Sequence, residues 1–187
     1  MNDLLITETE DKEPYIKKIT DDNIINLTGE SGSGKSYYAK QFENNSDYIV
    51  VDTDEIFSRF DTATGINKEI GTILRNKYDT IPSIIKEFDK CYIEILKYLE
   101  ASQKIIVIDS AQLKNIQDLS ILKGTVIIMR TSINKCYERC IDRWLANNIS
   151  ATNEEKEEYQ NKKKKRFAWY HSMNEFLIKL DNYTREL

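Results

Sequence analysis

Short segments rich in apolar residues are distributed along the chain, separated by longer stretches whose apolar residues recur at helical spacing. The short segments are Ile24–Leu27, Tyr48–Val51, Lys104–Asp109 and Gly124–Met129. Apolar runs of this length without polar alternation are typical of parallel strands that are buried on both faces. The pattern predicts a single α/β domain in which helices flank a parallel sheet.

The stretches with helical spacing predict the helices, including those of a long C-terminal tail. They cover Ser36–Phe42, Ile66–Lys77, the segment from Pro82 to Leu99, Ile133–Ala146 and a last helix that follows Thr152. Pro82 suits the first turn of its helix, and Ser132 is a good N-cap. Residues 1–22 are compatible with either a short strand or a helix, and residues 148–187 form the predicted helical tail.

The first strand and the first helix are joined by the sequence G-E-S-G-S-G-K-S, which fits the phosphate-binding pattern G-x-x-x-x-G-K-[ST]. Its glycines allow positive φ angles, so that backbone N–H groups can turn toward an anion. The helix that follows directs the positive end of its dipole toward the same point. We therefore predict that a nucleoside triphosphate binds here. The predicted contacts are Gly29, Ser31, Gly32, Ser33, Gly34, Lys35 and Ser36.

A magnesium ion is predicted beside this loop. Lys35 is expected to reach the β- and γ-phosphates, and the Ser36 hydroxyl is expected to complete the Mg²⁺ shell. Asp109 ends an apolar run downstream of the loop, which is the second nucleotide signature, and can accept a hydrogen bond from Ser36 or from a Mg²⁺-bound water. Since Mg²⁺ is usually held by few protein ligands plus phosphate oxygens, ATP and Mg²⁺ are the predicted cofactors.

The second strand ends in the acidic sequence D-T-D, Asp52 to Asp54. Because ligands of a parallel sheet bind at the carboxyl ends of its strands, these carboxylates should face the phosphate loop. One of them is a candidate general base for an attacking hydroxyl. The alternative is that they only cap the next helix.

Two arginines on the helix after the fourth strand are candidate phosphate ligands. Arg139 and Arg143 lie one turn apart on one face of that helix. Guanidinium groups so placed can hold phosphate oxygens in a transition state. The alternative is surface ion pairing with Glu138 or Asp142. Arg59 and Arg75 lie in the helical insert that would cover an acceptor.

Composition limits the compartment and the partners. The chain has 187 residues, a net charge of −4 and three cysteines without metal spacing, which favours reduced thiols. No apolar run approaches the ~20 residues of a membrane span, and the acidic N-terminal residues do not resemble a signal peptide. Acids at 154–158 offset the basic run 162–166, so nucleic acid is not a favoured partner. We predict a soluble cytoplasmic protein without a membrane partner.

In this order, the glycine loop, the strand ending in D-T-D, the Ile108–Asp109 strand end and the R-x-x-x-R helix resemble the small P-loop kinases. That group includes nucleoside monophosphate, shikimate, gluconate and polynucleotide kinases and the zeta toxins. The resemblance covers about Ile24 to Asn147. It implies a three-layer P-loop NTPase fold, a parallel sheet of strand order 2-3-1-4 and a mobile lid. It also implies that Asp54 or Asp52 is the base and that Arg139 and Arg143 are lid arginines.

The chain departs from this group in having Asp109-Ser110 where many nucleoside monophosphate kinases have Asp-Gly, no clear fifth strand, and a long helical tail. The predicted function is ATP-dependent phosphoryl transfer to a hydroxyl, or to a phosphate, of a small molecule or nucleotide. A hydroxyl is favoured because an ionised phosphate needs no base. The alternatives are a nucleotide-driven ATPase or switch that acts on a protein or nucleic-acid partner, and a scaffold that only binds nucleotide.

Overall fold

The sheet has five strands and mixed polarity. We describe the chain from a computed structural model that covers residues 3–78, 86–167 and 171–187. The strands are β1 (Lys12–Lys18), β2 (Ile24–Thr28), β3 (Tyr48–Asp52), β4 (Ile105–Asp109) and β5 (Thr125–Arg130). Their order across the sheet is β1-β5-β2-β4-β3, with β1 antiparallel to β5 and the other strands parallel. The buried strand β2 therefore lies at the centre of the sheet.

The prediction of a purely parallel sheet of order 2-3-1-4 is wrong, because β1 adds an antiparallel strand at one edge. This strand, K-E-P-Y-I-K-K, comes from the N-terminal residues for which strand and helix had remained open. None of its residues is fully buried, so it lacks the apolar run that marks a central strand. Lysines and Pro14 are typical of an edge strand, where one side of the backbone needs no partner.

The described part of the chain contains seven α-helices. They are α1 (Lys35–Glu43), α2 (Thr53–Phe57), α3 (Gly65–Lys77), α4 (Phe88–Glu100), α5 (Ile133–Asn147), α6 (Asn153–Phe167) and α7 (His171–Arg185). The predicted bounds of α1, α3 and α5 are confirmed to within one residue. The predicted helix start at Pro82 lies outside the described residues. No helix of the described residues is long and apolar enough to cross a membrane.

Helix starts follow the capping residues that the sequence offers. Ser132 Oγ accepts a hydrogen bond from the backbone N–H of Lys135 at 3.3 Å, which confirms Ser132 as the N-cap of α5. Before α6, the Thr152 hydroxyl accepts from Glu155 N at 3.2 Å, and the Glu155 carboxylate accepts from Thr152 N at 3.0 Å. Such a reciprocal pair satisfies two of the N–H groups that a helix start leaves without partners.

The contacts within the chain divide it into two units, which we describe separately. The loop unit comprises Met1–Tyr15, Gly29–Lys35 and Ile128–Leu187, and the strand unit comprises Ile16–Thr28 and Ser36–Ile127. Each unit has its own buried apolar side chains, from α7 in the loop unit and from α4 in the strand unit.

In the strand unit, α4 buries the face that its spacing predicts. Its buried residues are Phe88, Cys91, Tyr92, Ile95 and Leu99. The Tyr92 hydroxyl donates to Asn26 Oδ1 at 2.9 Å, and Asn26 Nδ2 donates to the carbonyl of Lys123 at 2.8 Å. A polar residue in the central strand is thereby satisfied, as burial of an amide requires.

In the loop unit, the N-terminal residues are held by α5 and α7. Ile6 N donates to Asn174 Oδ1 at 2.8 Å, and Asn174 Nδ2 donates back to the Ile6 carbonyl at 3.0 Å. The carbonyl of Thr7 accepts from Ile133 N at 3.0 Å, at the start of α5. The Asp11 carboxylate accepts from Ser132 N at 2.8 Å. The N-terminal segment thus occupies the N–H groups at the start of α5.

Replacing Gly124 by alanine is expected to lower the free energy of unfolding by about 3 kcal/mol. Gly124 has φ +77°, and a Cβ there would lie 2.0 Å from the Ile24 carbonyl oxygen. Gly65→Ala is the matched control, because Gly65 has φ +56° but nothing within 4 Å of a Cβ. Its cost should be only the backbone strain, about 1 kcal/mol. Chemical denaturation followed by circular dichroism measures both, and equal losses would contradict the steric argument.

Candidate functional site

The glycine loop leaves β2 at Thr28 and enters α1 at Lys35. Gly32 has φ +80° and Gly34 has φ +91°, in the region that favours glycine. A Cβ at Gly32 would lie 2.5 Å from the backbone carbonyl oxygen of Cys136, so no side chain fits there. At Gly34 the nearest atom would be 3.7 Å away, and glycine is required by the φ angle alone. The loop has the backbone conformation that the motif predicts.

Neighbouring groups in the loop unit hold this conformation. Ser33 N donates to the Glu30 carbonyl at 3.0 Å, which closes a tight turn. The Thr131 hydroxyl donates to the Ser33 carbonyl at 2.7 Å. The Cys140 thiol lies 3.5 Å from Ser31 Oγ. The loop is therefore tied to the end of β5 and to α5 through backbone and side-chain groups.

The buried polar groups of the loop fit a bound phosphate. Ser33 Oγ is buried and has no hydrogen-bond partner among the residues that the structure describes. Lys35 is only 8% exposed, which is rare for a lysine without a specific role. A phosphate oxygen would accept from such a hydroxyl and from the N–H groups at the start of α1. These groups fit a bound phosphate, and triphosphate binding stays a prediction.

One of the two predicted arginines contacts the loop. Arg139 Nη1 donates to the Gly32 carbonyl at 3.1 Å, from a side chain that is otherwise exposed. The side chain of Arg143 is exposed and makes no hydrogen bond or ion pair with the described part of the chain. Neither arginine forms an ion pair with Glu138 or Asp142. The R-x-x-x-R pattern thus brings one guanidinium group, Arg139, to the glycine loop.

The register of the parallel strands brings two predicted carboxylates together in the strand unit. Asp52 ends β3 and Asp109 ends β4, and the two residues are direct partners in the ladder. Asp109 also pairs with Leu27 on its other side, one residue before β2 ends. Neighbouring strands lie about 4.8 Å apart, so two carboxylates at the same carboxyl edge share one environment.

These carboxylates open into a cavity of about 350 Å³. It is lined by Ser36, Lys40, Glu43, Tyr48, Ile49, Val50, Asp52, Glu55, Asn67 and Asp109. Ser36 is the last residue of the phosphate-binding motif and follows Lys35 directly in the chain. The cavity thus brings together both predicted Mg²⁺ ligands, Ser36 and Asp109, and one of the two candidate bases, Asp52.

Asp52 caps α2 and also faces this cavity. Its Oδ1 accepts from Asp54 N at 2.8 Å, and its Oδ2 accepts from Arg59 Nη2 at 3.2 Å. Burial, together with the negative charges of Asp109 and Asp54, raises the pKa of Asp52 to about 6. Helix capping is therefore confirmed for Asp52, and the same side chain also lines the cavity.

Asp54 has a different environment and does not line the cavity. Its Oδ1 accepts from Gln112 Nε2 at 2.8 Å. The Gln112 side-chain carbonyl accepts from the Thr53 hydroxyl, which lies 2.9 Å from Ser110 Oγ. This chain of polar groups links the start of α2 to the residues after β4. The structure therefore separates two aspartates that the sequence leaves equivalent.

Sequence reasoning missed Asn67 and Gln112. Asn67, on α3, accepts from Asp52 N at 2.9 Å and donates to Glu55 Oε2 at 3.0 Å. Both residues act through partners that are distant in sequence or belong to another element, and no local spacing signals such contacts. Only their polar character within otherwise amphipathic segments could have drawn attention to them.

The arginines of the helical insert have separate roles. Arg59 forms the ion pair with Asp52, and its side chain is 57% exposed. Arg75 donates to the carbonyl of Phe57 at 3.0 Å and lies 4.0 Å from the centroid of the Phe60 ring. Arg75 therefore holds α2 against α3 and does not line the cavity.

Oxygen ligands are the chemistry that Mg²⁺ prefers, and it commonly keeps several waters and substrate oxygens. Among the described residues there is no group of three or more His, Cys, Asp or Glu side chains that could hold a metal. Ser36 and Asp109 fit a Mg²⁺ ion that is bound mainly through phosphate and water.

A comparison with known proteins finds no family model that matches the chain and no characterised protein with significant similarity.

Asp52→Asn is expected to stabilise the fold at pH 8 and to have little effect at pH 4. The pKa of Asp52 rises from 3.8 to about 6 on folding, so ionisation in the native state costs free energy above pH 6. This cost falls as the pH drops through 6 and is absent below the unfolded value. After allowance for solvent screening, the gain at pH 8 should be on the order of 1–3 kcal/mol, because asparagine keeps the cap.

Urea unfolding of both proteins between pH 4 and pH 8 measures this difference. The exposed Asp61→Asn variant carries the same charge change and should show no such pH dependence. A constant difference between Asp52→Asn and the parent protein across this range would refute the burial argument.

Proposed function

We propose that this protein is a P-loop phosphotransferase that moves the γ-phosphoryl group of ATP to an acceptor hydroxyl. The observation that carries the proposal is the cavity shared by Ser36, Asp109 and Asp52. Ser36 is the last residue of a contiguous phosphate-binding motif, so the motif itself contributes one side chain to this cavity. Buried and reduced cysteines agree with the predicted cytoplasmic location.

The chain offers backbone N–H groups, cationic side chains and ligands for a Mg²⁺ ion to a bound nucleotide. When bound, ATP would supply the phosphoryl group, and Mg²⁺ would supply positive charge next to its β- and γ-phosphates. Backbone N–H groups of Gly32, Gly34 and Lys35 would donate to phosphate oxygens, and the Lys35 ammonium would offset their charge. Ser36 and Asp109 would hold the Mg²⁺ ion. Arg139, already at the loop, would donate to oxygens whose charge grows in the transition state.

Asp52 is our choice for the general base. Its carboxylate lines the cavity. A pKa of about 6 leaves this carboxylate ionised at neutral pH, and because that value is near neutral pH the group is also basic enough to accept a proton. It would take the proton from the acceptor hydroxyl as that oxygen attacks phosphorus. Asp54, held by Gln112, would act as a positioning residue.

The second candidate is a nucleotide-driven ATPase that acts on a macromolecular partner. Helix α6 supports it, because its sequence N-E-E-K-E-E-Y-Q-N-K-K-K-K-R-F has almost no apolar face. A helix that is polar on all sides has no apolar face with which to pack against the hydrophobic core. Tyr159 of α6 stacks on Trp144 of α5, with ring centroids 4.6 Å apart. An ATPase would hydrolyse ATP without any small-molecule acceptor.

Lys35→Ala is expected to lower ADP release more than about 100-fold, because it removes the cation next to the transferred phosphate. ADP release with an acceptor panel, and calorimetry of Mg·ATP binding, measure the effect. Lys104→Ala, at an exposed position before β4, should leave both unchanged. Normal turnover of Lys35→Ala would refute the assigned role, and no binding of Mg·ATP by the parent protein would refute the proposed function.

The two aspartates should respond differently to removal of charge. Asp52→Asn is expected to lower acceptor phosphorylation by about 100-fold or more and to retain Mg·ATP binding. Asp54→Asn should lose less than about tenfold, because asparagine can still accept from Gln112. A larger loss for Asp54→Asn would reverse the assignment. Undiminished ATP hydrolysis by Asp52→Asn without an acceptor would favour the ATPase.

A further inference from the structure

We propose that the acceptor is a neutral or cationic compound rich in hydroxyl or ammonium groups and lacking a phosphate. This inference rests on the proposed function and concerns the same cavity. Its basis is the charge and the hydrogen-bonding character of the side chains that line the cavity beside Asp52.

Acidic groups outnumber basic groups in the cavity. Glu43, Asp52, Glu55 and Asp109 line it, whereas Lys40 is the one cation among its described lining residues. A Mg²⁺ ion at Asp109 would be largely neutralised by the triphosphate that it accompanies. A phosphorylated acceptor would therefore bring a further negative charge next to Asp52, Glu55 and Glu43, where the interaction is repulsive.

Neither arginine of the strand unit lines the cavity. The two arginines of this unit are Arg59 and Arg75. Arg59 is paired with Asp52, and Arg75 is held by the Phe57 carbonyl and the Phe60 ring. The bidentate fork of a free guanidinium group is a common and specific phosphate ligand. Neither arginine presents one to the cavity.

Hydrogen-bond acceptors dominate the polar lining. The Asn67 amide is fixed, because its oxygen accepts from Asp52 N and its nitrogen donates to Glu55 Oε2. Carboxylate oxygens have more lone pairs than these contacts use. The remaining acceptor sites require donors on the ligand, which hydroxyl and ammonium groups supply.

The size and the apolar wall of the cavity suit a small molecule. Its volume of about 350 Å³ is at the lower end of ligand sites. The remaining lining residues include Tyr48, Ile49 and Val50 of β3, which give the cavity a partly apolar wall in addition to its acidic groups. A polyol, an amino alcohol or an amino sugar combines donors with a compact carbon skeleton and fits these requirements.

Matched pairs of compounds test the inference. Ribose is compared with ribose 5-phosphate, glucosamine with glucosamine 6-phosphate, and adenosine with adenosine 5′-monophosphate. For each pair we would measure kcat/KM for ADP release and affinity by calorimetry with a non-hydrolysable ATP analogue and Mg²⁺. The unphosphorylated member should be preferred by at least about tenfold, as expected for repulsion by several partly screened carboxylates. Preference for the phosphorylated members would overturn the inference.

Glu55→Gln assigns the discrimination to the cavity, because glutamine can still accept from Asn67. It should reduce the preference at least about threefold through KM, with kcat little changed. Asp61→Asn makes the same change in net charge outside the cavity lining and should leave the preference unchanged. An unchanged preference in Glu55→Gln, or equal shifts in both variants, would overturn the inference. Binding of Mg·ATP together with either result leaves the proposed function standing, whereas absence of Mg·ATP binding refutes that function itself.

Discussion

The parallel register of β4 with both of its neighbours is the constraint on which the candidate site depends. It places Asp109 beside Asp52 on one side and beside Leu27 on the other. Backbone hydrogen bonds fix this register, and the alternation of side chains then fixes which residues share a face. A shift of β4 by one residue would place Ile108 or Ser110 opposite Asp52 and would move Asp109 away from that position.

Two carboxylates in adjacent strands repel each other, and several features of the strand unit reduce that cost. The raised pKa of Asp52 reflects burial and this repulsion, whereas the hydrogen bond from Asp54 N–H and the positive charge of Arg59 oppose it. Carboxylates with perturbed pKa values are common at sites that bind a cation or transfer a proton. Asn67 and Gln112 then fix the neighbouring backbone and Asp54, so the acidic groups are held by directed contacts.

In the loop unit, an irregular glycine-rich backbone is held in place by its neighbours, and at Gly32 they leave no space for a side chain. Close approach of the Cys136 carbonyl to Gly32 leaves no room for a Cβ. The start of α5 is in turn fixed by carbonyls and the Asp11 carboxylate of the N-terminal segment, and that segment is fixed by Asn174 of α7. Residues far from the loop in sequence therefore define the helix that packs against it.

The sequence by itself determined the four parallel strands, the bounds of α1, α3 and α5, and the glycine loop, because each depends on local spacing or on a contiguous motif. It failed at β1, whose charged and half-exposed residues carry no apolar signal, and so the sheet is mixed where a parallel one was predicted. It could not tell which of Asp52 and Asp54 lines the cavity, since two residues of equal parity differ only in their tertiary neighbours. Nor could it find Asn67 or Gln112, or distinguish Arg139 at the loop from Arg143 in solvent. The tertiary structure decided these points because contacts between distant segments depend on packing and strand register, which no local pattern encodes.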